Sequence, residues 1–501
     1  MENFLKLSQN YIKLVLGLKI KQLRIEKNLS LTHLAEKSGL SISYLNEIES
    51  GKKYPKSDKI AVIAKTLDVS YDKLVSLKLS KQLAPIGELF ESNLLEQLPL
   101  DHYGIDIQKF VSLMSNASLQ LSALVSTILE MAKSSEMSEN NFSRTALRAY
   151  KEFNDNYFEE LEEAVDVFVT ENKLETTHPL LYPRLAKILT EKYFYQIDES
   201  TLNSYTELAQ FRGFVKNGKV NTLFLNNKIS DSQKAFIVCK ELAYNHLNYK
   251  ERSFSHSNLR LDNFDHLLNN FKASYFATAL LIRKEFILPD LHTFFALPKW
   301  DGNYLISLID KYNASPEMLF QRISNLGPKF LGLNKFFFLR FNAKGKNNAY
   351  QLSKEVRLNI RRNPGGFQSQ EHYCRRWQSV KVLNELIDHQ ISDPSSKSTS
   401  SGILHSKFFN SNDEFLNISI AKQSQFISDE YYSVTIGFQF DDELKQKIAF
   451  WNDAAIPFET VNDTCEMCKI PDCKERSAPP TAIEKLEHAG KVEAILLKLN
   501  S

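Results

Sequence analysis

The chain has 501 residues, of which 43% are hydrophobic, and its 62 basic and 60 acidic side chains leave a formal net charge of +2. The hydrophobic share is that of a globular protein, and the length predicts about three domains rather than one core. No apolar run reaches the ~18 residues that a membrane span needs, and the N-terminus lacks the apolar core of a signal peptide. We therefore expect a cytoplasmic protein with no membrane partner.

The first 80 residues are basic, although the chain as a whole is nearly neutral. They hold 14 Lys and Arg against 8 Asp and Glu, an excess of 6 positive charges. Such a local excess indicates an anionic partner, such as nucleic acid. The sequence also predicts short helices here, because "SLTHLAEKSGL" begins at a good N-cap, Ser30, and ends at Gly39, while "SISYLNEIESG" begins at Ser41 and ends at Gly51.

The segment from "LTHLAEKSGL" to "AVIAKTLDVS" resembles the helix-turn-helix of the lambda-repressor and Cro-like (XRE) family. The small residues Ala35 and Gly39 let two helices cross closely. Leu45 and Ile48 anchor the second helix, so its opposite face is free to enter a major groove. Since one such domain covers only a half-site, we expect double-stranded DNA as a partner and a homodimer as the assembly.

Contacts to DNA are expected from the outer face of the second helix and from the turn after it. Base contacts set the sequence that is read, whereas phosphate contacts set the register. For base edges we predict Ile42, Ser43 and Glu47. For phosphates we predict Ser41, Tyr44, Asn46, Lys52 and Lys53.

Downstream of this domain the sequence predicts three further parts. Residues 81–173 are mostly helical, and 142–169 are predicted to form one long helix in a connector or dimerisation region. Residues 174–330 alternate helix and strand, with "NTLFLNN" as a strand. Residues 331–501 are rich in predicted strands, among them "KFFFLRFNAKG", "YYSVTIGFQF" and "KIAFWND". A disordered loop is predicted from Ser392 to Gly402. The fold class is therefore α+β.

The stretch "KAFIVCKELAYNHLNYKE" has the pattern of a metallopeptidase helix without its chemistry. The zinc motif H-E-x-x-H places two His one helical turn apart with a Glu beside the first. Here the His positions hold Lys240 and Tyr244, and only Glu241 remains. Nothing is left to make a metal-bound water nucleophilic, so we predict no catalytic residues and no enzyme activity.

Four of the five cysteines lie in the last third of the chain. Cys465, Cys468 and Cys473 form a tight Cys-x2-Cys-x4-Cys group, and Cys374 precedes Trp377 in "HYCRRWQ". Structural disulfides are rare in the cytoplasm, which favours metal ligation over cross-linking. Four thiolates suit Zn²⁺ or an iron–sulfur cluster, and we predict one such centre at these cysteines; unliganded buried thiols are the alternative.

Three stretches resemble the short-chain fatty acyl transcriptional regulators: "ESNLLEQLPLDHYGIDIQKF", "TALRAYKEFNDNYFEELEEAV" and "CEMCKIPDCKERSAPP". The resemblance implies a domain related to the ImmA/IrrE metallopeptidases, here degenerate, because Asn270, Phe271 and Lys272 stand where that family carries Glu. It also implies a C-terminal domain that binds a short-chain acyl-CoA. The basic side chains available for the CoA phosphates there are Arg340, Lys344, Arg361, Arg362, Arg375 and Arg376.

The predicted organisation has four parts, and two other functions stay open. The parts are a helix-turn-helix domain (1–80), a helical connector or dimerisation region (81–173), a pseudo-peptidase α/β domain (174–330) and a β-rich effector domain with the cysteine site (331–501). The predicted function is a DNA-binding transcriptional regulator that senses a small metabolite. The alternatives are a redox or metal sensor acting through the cysteines, and a repressor relieved by proteolysis.

Overall fold

A computed structural model of the chain describes residues 2–76, 139–176, 178–208, 211–250, 264–345, 350–360, 372–393, 399–411, 413–424, 426 and 429–500. The chain divides into two compact units. The first comprises residues 1–147 with 262–264, and the second comprises 148–261 with 265–501. Among the helices of the described ranges, none combines the length and the apolar character of a membrane span.

The described part of the first unit is helical. The two predicted N-caps are confirmed, because the Ser30 hydroxyl accepts from His33 N–H and the Ser41 hydroxyl accepts from Tyr44 N–H. Gly39 ends the second helix with a φ of 66°, a left-handed conformation that glycine adopts without cost. Leu34, Leu45 and Ile48 are fully buried in a common apolar core. The helices are Glu2–Glu26, Leu31–Ser38, Ile42–Glu49, Ser57–Thr66 and Tyr71–Val75.

The second unit begins with two helices where the sequence predicted one. The helix Glu139–Phe153 ends before a turn in which Asp155 and Asn156 adopt positive φ angles, and a new helix then runs from Glu159 to Glu171. Short polar residues tolerate this left-handed conformation better than others, so the turn breaks the predicted continuous helix. Residues 148–173 also belong to the second unit rather than to a separate connector. Residues 77–138 of the predicted connector lie outside the described residues.

A small sheet and a group of helices form the region predicted as α/β. Strands β1 (Gln196–Asp198), β2 (Gly213–Lys216) and β3 (Thr222–Leu225) pair in the order β1-β3-β2, with β1 parallel and β2 antiparallel to β3. The predicted strand "NTLFLNN" is β3. The helices of this region are Tyr182–Tyr193, Asp231–His246, Phe264–Leu281, Lys284–Phe295, Gly302–Lys311 and Pro316–Leu326, and short 3-10 turns lie at Thr201–Ser204 and Thr206–Leu208.

A larger sheet forms the β-rich region, which confirms the α+β class. Its strands pair in the order β5-β4-β8-β7-β6-β9. The helix Gln378–Ser392 covers one face, and apolar side chains such as Phe337, Trp377 and Leu383 form the core between them. The strands are β4 (Phe336–Lys344), β5 (Gln351–Leu358), β6 (Thr399–Phe408), β7 (Glu414–Gln423), β8 (Glu430–Gln439) and β9 (Phe458–Val461).

Two local predictions in this region were wrong. The predicted loop Ser392 to Gly402 is wrong at its ends, because Ser392 closes a helix and residues from Thr399 pair with β7, while 394–398 lie outside the described residues. Serine and threonine are compatible with a strand when a neighbouring strand supplies the hydrogen bonds. The predicted strand "KIAFWND" contains the 3-10 turn Ala449–Asn452. The remaining helices are Gly327–Leu331, a π turn, together with Asp442–Lys447 and Thr481–Asn500.

A buried ion pair joins three helices of the second unit. The Arg322 guanidinium donates to both oxygens of Glu162, with an Nη2–Oε2 distance of 2.9 Å, and the two side chains are only 1% and 2% exposed. Tyr275 Oη also donates to Glu162 at 2.9 Å, and Arg322 Nε donates to the Ile282 carbonyl at 2.8 Å. Burial by itself raises the pKa of Glu162, but Arg322 outweighs it and the net pKa is lowered.

Removing the charge of Glu162 should destabilise the second unit. In Glu162→Gln the Arg322 charge stays buried without a counter-ion, which costs on the order of 3–5 kcal/mol. We expect a lower midpoint of thermal unfolding followed by circular dichroism. Because the folded-state pKa of Glu162 is lowered, its contribution is present above the ordinary value of 4.5 and is lost as the pH falls. The midpoint of the variant should therefore fall less steeply with acid.

A matched control is Glu171→Gln, which removes the partner of Lys192 from an ion pair whose side chains are 48% and 41% exposed. Exposed pairs contribute little to stability, so this variant should melt with the wild type. Equal melting of Glu162→Gln and Glu171→Gln at neutral pH would contradict the structural role of the buried pair.

Candidate functional site

The helix Ile42–Glu49 is held by one face, which leaves its other face open. Leu45 and Ile48 are fully buried, whereas Ile42 is 47% exposed. Ser41, Ser43, Asn46, Lys52 and Lys53 are exposed as well. An isoleucine gains nothing from water, so its exposure at the start of a polar helix face fits a contact with another molecule.

Three of the predicted DNA contacts, Tyr44, Glu47 and Lys53, already contact one another within the protein. Tyr44 is half-buried, and the Lys53 ammonium lies 5.0 Å from the centre of its ring. Lys53 also pairs with Glu47 at 3.4 Å. An exposed pair of this length is weak and exchanges readily for a phosphate contact. Glu47 itself is therefore available to a base edge only when Lys53 moves away from it.

Two residues that the sequence analysis missed fix this helix in place. The Arg24 guanidinium donates to both oxygens of Glu49, at 2.7 and 2.9 Å, and to the Leu29 carbonyl at 2.8 Å. Gly17 permits a close approach, since a Cβ there would lie 2.2 Å from the Ile48 carbonyl oxygen. These contacts join the helix Glu2–Glu26 to the recognition helix and limit its orientation.

The helix Asp231–His246 occupies the place of the metallopeptidase helix. Lys240 and Glu241 are buried, with 5% and 4% exposure. The Lys240 ammonium donates to Asn270 Oδ1 at 2.7 Å, so the two residues that replace expected ligands bind one another. Glu241 accepts from Tyr195 Oη at 3.4 Å. Throughout the described ranges, no three His, Cys, Asp or Glu side chains are grouped so as to hold a metal ion.

Basic side chains collect beside this helix, and we call them the cationic cluster. Arg340 on β4 and Lys354 on β5 are cross-strand neighbours. They share one carboxylate, with Lys354 Nζ 3.0 Å and Arg340 Nε 3.5 Å from the two oxygens of Glu317. Like charges opposite one another are unfavourable, so this shared carboxylate offsets only part of the repulsion. The members of the cluster are Arg148, Lys151, Arg212, Lys240, Arg340 and Lys354.

The pKa values show that these charges act on one another. Burial, Lys354 and Arg148 together lower the pKa of Lys151 to about 7. Burial lowers the pKa of Lys240 to about 8; Glu241 opposes this and Lys354 adds to it. Burial raises the pKa of Glu317, but Lys354, Arg340 and Arg212 outweigh it and bring the value to about 2. Lys354 thus acts on the pKa values of Lys151, Lys240 and Glu317.

Positive charge in the cluster is only partly matched by negative charge, since Glu317 pairs with Arg340 and Lys354, and Glu355 lies 3.7 Å from Arg148. In the part of the chain that the structure describes, neither Lys151 nor Lys240 has a carboxylate within 4.0 Å. Arg340 Nε is buried and has no hydrogen bond of good geometry. The side chains still reach solvent, since Lys354 is 38%, Arg148 33% and Arg340 17% exposed.

The effector residues predicted from sequence separate into groups. Arg340 belongs to the cationic cluster, and Lys344 lies exposed at the end of β4. Arg361 and Arg362 lie outside the described residues. Arg375 and Arg376 line the cysteine cavity instead. The prediction did not assign Arg148, Lys151, Arg212, Lys240 or Lys354 to the effector site, because these residues lie far apart in the chain and Lys240 was considered only as the replacement of a metal ligand.

The four predicted cysteines lie together. Cys374, Cys465, Cys468 and Cys473 line one small cavity, with Arg375, Arg376 and Arg476 around them. Two backbone segments place them, since Cys374 N–H donates to the Asp463 carbonyl at 3.0 Å and Cys465 N–H donates to the His372 carbonyl at 2.9 Å. Cys465 and Cys468 lie near enough to Cys374 to raise its pKa.

Backbone and side-chain donors surround these sulfurs. Burial raises the pKa of Cys374 to about 11, although hydrogen bonds from the backbone of Asn462 and Arg376 lower it. The Ser477 N–H donates to Cys465 Sγ at 3.4 Å. Arg476 donates to the carbonyls of Cys465, Cys468 and Ile470, which closes the loop around the cavity. The donor set suits a soft metal ion, and the thiols would have to draw closer together to share one.

The described chain was compared with known proteins. Residues 20–74 match the helix-turn-helix family, and residues 200–324 match the IrrE N-terminal-like domain family. No curated protein matches the chain. Among solved structures it is similar to a Mycobacterium tuberculosis transcriptional regulator, with 14% sequence identity, 66% of this chain and 92% of that chain covered, and a TM-score of 0.46. The chain therefore carries a DNA-binding helix-turn-helix domain followed by an IrrE-like domain, which confirms those two parts of the predicted organisation.

Proposed function

We propose that this protein is a transcriptional regulator whose second unit binds a short-chain acyl-CoA at the cationic cluster and thereby changes DNA binding by the helix-turn-helix. The observation that carries the proposal is the excess of half-buried positive charge around Lys354. A cluster of this kind is unfavourable in the free protein and is relieved by an anionic ligand.

The chemistry of CoA suits the surroundings of the cluster. CoA carries several negative phosphate oxygens, which arginine and lysine bind with charge-assisted hydrogen bonds. It also carries an adenine ring, which stacks on aromatic side chains. Two aromatic rings contact the cluster: the Arg340 guanidinium lies 4.9 Å from the centre of the Tyr432 ring, and the Lys151 ammonium lies 4.6 Å from the centre of the Phe271 ring. The acyl part of the proposal rests on the family resemblance.

The IrrE-like domain would then serve in binding and not in hydrolysis. The place of the first expected metal ligand holds the Lys240 ammonium, which repels a dication. The same charge attracts an anion. This favours the ligand-binding function over a repressor that is relieved by its own proteolysis.

The cysteine cavity supports a metal centre as a second element of the proposal. Cys374, Cys465, Cys468 and Cys473 would hold either Zn²⁺ or an iron–sulfur cluster. A zinc ion would supply structural cross-linking, whereas a cluster would supply electron transfer and thus a redox or metal-sensing function. In either case the centre would join the tail around Cys468 to the segment of Cys374.

The regulator would work in the cytoplasm as a homodimer on a two-fold operator, because each helix-turn-helix covers one half-site. The two recognition helices would then lie roughly 34 Å apart. Light scattering at micromolar concentration should return twice the 57.7 kDa of one chain. A monomer both with and without DNA would remove this part of the proposal.

Removing Lys52 should weaken binding to every DNA sequence. Lys52 is exposed at the end of the recognition helix and is assigned to phosphate. In Lys52→Ala the slope of log affinity against log salt should become shallower by about 0.9, measured by fluorescence anisotropy on a random duplex. A Lys52→Ala variant that weakens only one sequence would contradict the assignment to phosphate.

Replacing Ser43, which is assigned to base edges, should instead alter the sequence that is read. We expect Ser43→Ala to change the preferred sequence in a selection from random duplexes.

Removing Lys354 should weaken binding of CoA. Loss of one charge-assisted hydrogen bond costs about 1.5–3 kcal/mol, so the Kd of Lys354→Met should rise by roughly tenfold or more by calorimetry. Lys192→Met, which removes a lysine paired with Glu171 at the surface, is the matched control and should bind as the wild type does. Equal affinity of Lys354→Met and wild type would place the CoA site elsewhere, and no binding of CoA to wild type would refute the proposed effector.

Replacing Cys468 by Ser should reduce the metal content of the purified chain and lower its thermal stability. Structural zinc contributes on the order of 10 kcal/mol in small peptides, and less is expected here because a core already exists. The readouts are elemental analysis and thermal melting. Cys239→Ala is the control, since Cys239 is a buried thiol of the IrrE-like domain and should leave metal content unchanged. Equal metal content and melting of Cys468→Ser and wild type would show that these thiols hold no metal.

A further inference from the structure

Lys151 differs from every other lysine of the cationic cluster in its contacts. It lies on the helix Glu139–Phe153, half-buried, with its ammonium 4.6 Å from the centre of the Phe271 ring. Lys354 is paired with Glu317, and Lys240 donates to Asn270 Oδ1. For Lys151 the structure describes neither an ion pair with a carboxylate nor a hydrogen bond from its Nζ atom. Its Nζ is thus held by packing against Phe271 and has no polar partner in the described residues.

The charged groups that act on Lys151 are all positive. They are Arg148, one helical turn earlier on the same helix, and Lys354 on β5. Burial beside an aromatic ring and between two cations disfavours the ammonium form, and the pKa of Lys151 is about 7 for that reason. With a pKa of about 7, about half of the Lys151 amines are uncharged at neutral pH, and the lone pair of the uncharged nitrogen makes it a nucleophile.

We propose that Lys151 is an acyl-acceptor residue, modified by the acyl thioester that the cationic cluster binds. The inference rests on the proposed function, since the cluster must first hold the CoA part of the ligand. The uncharged Nζ attacks the thioester carbonyl carbon and forms an amide bond, while the carbon–sulfur bond breaks. The leaving thiolate of CoA takes the proton that the nitrogen loses, so the products are acyl-lysine and free CoA thiol.

Lys240 is the natural comparison, and its contacts make it a poor acceptor. Its side chain is buried, with 5% exposure, and its nitrogen is already engaged in a hydrogen bond to Asn270 Oδ1. Acylation of Lys151 would also change the cluster itself, because an amide carries no charge. The modified protein should therefore bind free CoA with a higher Kd. Because the amide bond persists after the acyl thioester has gone, the change of the effector site would persist as well.

The test uses the full chain incubated with propionyl-CoA as the short acyl thioester, followed by peptide mass spectrometry. Lys192, whose ammonium pairs with Glu171, serves as the reference lysine within the same protein. At pH 7.5 we expect the adduct at Lys151 to form at least tenfold faster than at Lys192. Excess CoA should suppress the adduct at Lys151 and not at Lys192. Lys151→Arg, which has no amine of lowered pKa, should give no adduct at this position.

The pH profile adds a readout that mere surface exposure would not give. The rate at Lys151 should rise between pH 6 and about pH 7.5 and then level off, because its amine is then uncharged. The rate at Lys192 should keep rising roughly tenfold for each pH unit over the same range, as for a lysine of ordinary pKa.

The possible outcomes separate this inference from the proposed function. Absence of CoA binding by calorimetry would overturn both. Binding of CoA with labelling of Lys151 no faster than Lys192 would overturn the inference and leave the proposed function standing. Fast labelling of Lys151 that CoA does not suppress would show adventitious reactivity and would also overturn the inference.

Discussion

Burying a positive charge is unfavourable unless a counter-ion accompanies it, and the second unit compensates its buried cations in two different ways. At Arg322 the compensation is complete, because Glu162 accepts from two guanidinium nitrogens and a carbonyl accepts from the third. At the cationic cluster it is only partial, because Glu317 serves both Arg340 and Lys354. The first arrangement closes a buried ion pair, while the second leaves the positive charge that the proposed function uses.

In the IrrE-like domain, the helix Asp231–His246 has the cap and the apolar packing of a regular buried helix, while its polar positions differ from the metallopeptidase pattern. The helix Asp231–His246 keeps its capping box, with Ser230 and Gln233 each bonded to the backbone of the other. It also keeps its buried apolar side chains, including Val238 and Leu242. The change lies in the polar positions, where a lysine bonded to Asn270 stands in place of a ligated ion. A lysine bonded to an asparagine thus occupies the positions at which the metallopeptidase pattern has metal ligands.

In the first unit, the geometry of the recognition helix depends on a contact outside the helix-turn-helix motif itself. Gly17 brings the helix Glu2–Glu26 against the Ile48 carbonyl, and Arg24 holds Glu49 with two hydrogen bonds. Neither residue touches DNA in the proposed arrangement. Both nevertheless limit the orientation of the helix that carries Ile42 and Ser43. The geometry of the predicted DNA-contact surface thus depends on residues that are not part of that surface.

Local pattern was enough to predict much of this protein. The helix-turn-helix with its caps at Ser30 and Ser41, the strands β3, β4 and β8, and the missing zinc ligands at Lys240 and Tyr244 are all visible in short stretches of sequence. Each depends on residues within one element, where capping, periodicity and motif spacing act. The helix break at Asp155 and the extension of β6 to Thr399 were not predicted. Whether a polar residue adopts a left-handed turn, and whether a polar segment pairs as a strand, depends on the elements that pack beside it in the fold.

Tertiary structure decided the rest. The cationic cluster gathers Lys151, Arg212, Lys240, Arg340 and Lys354 from two helices, two strands and the segment before β2, and no single stretch of sequence brings them together. The lowered pKa of Lys151 has the same origin, because it comes from Arg148, Lys354 and burial beside Phe271, and not from the sequence around it. The sequence by itself determined that basic residues and four cysteines were present. Only the folded chain determined which of them share one low-dielectric environment, because charge repulsion and desolvation depend on distances through space and not along the chain.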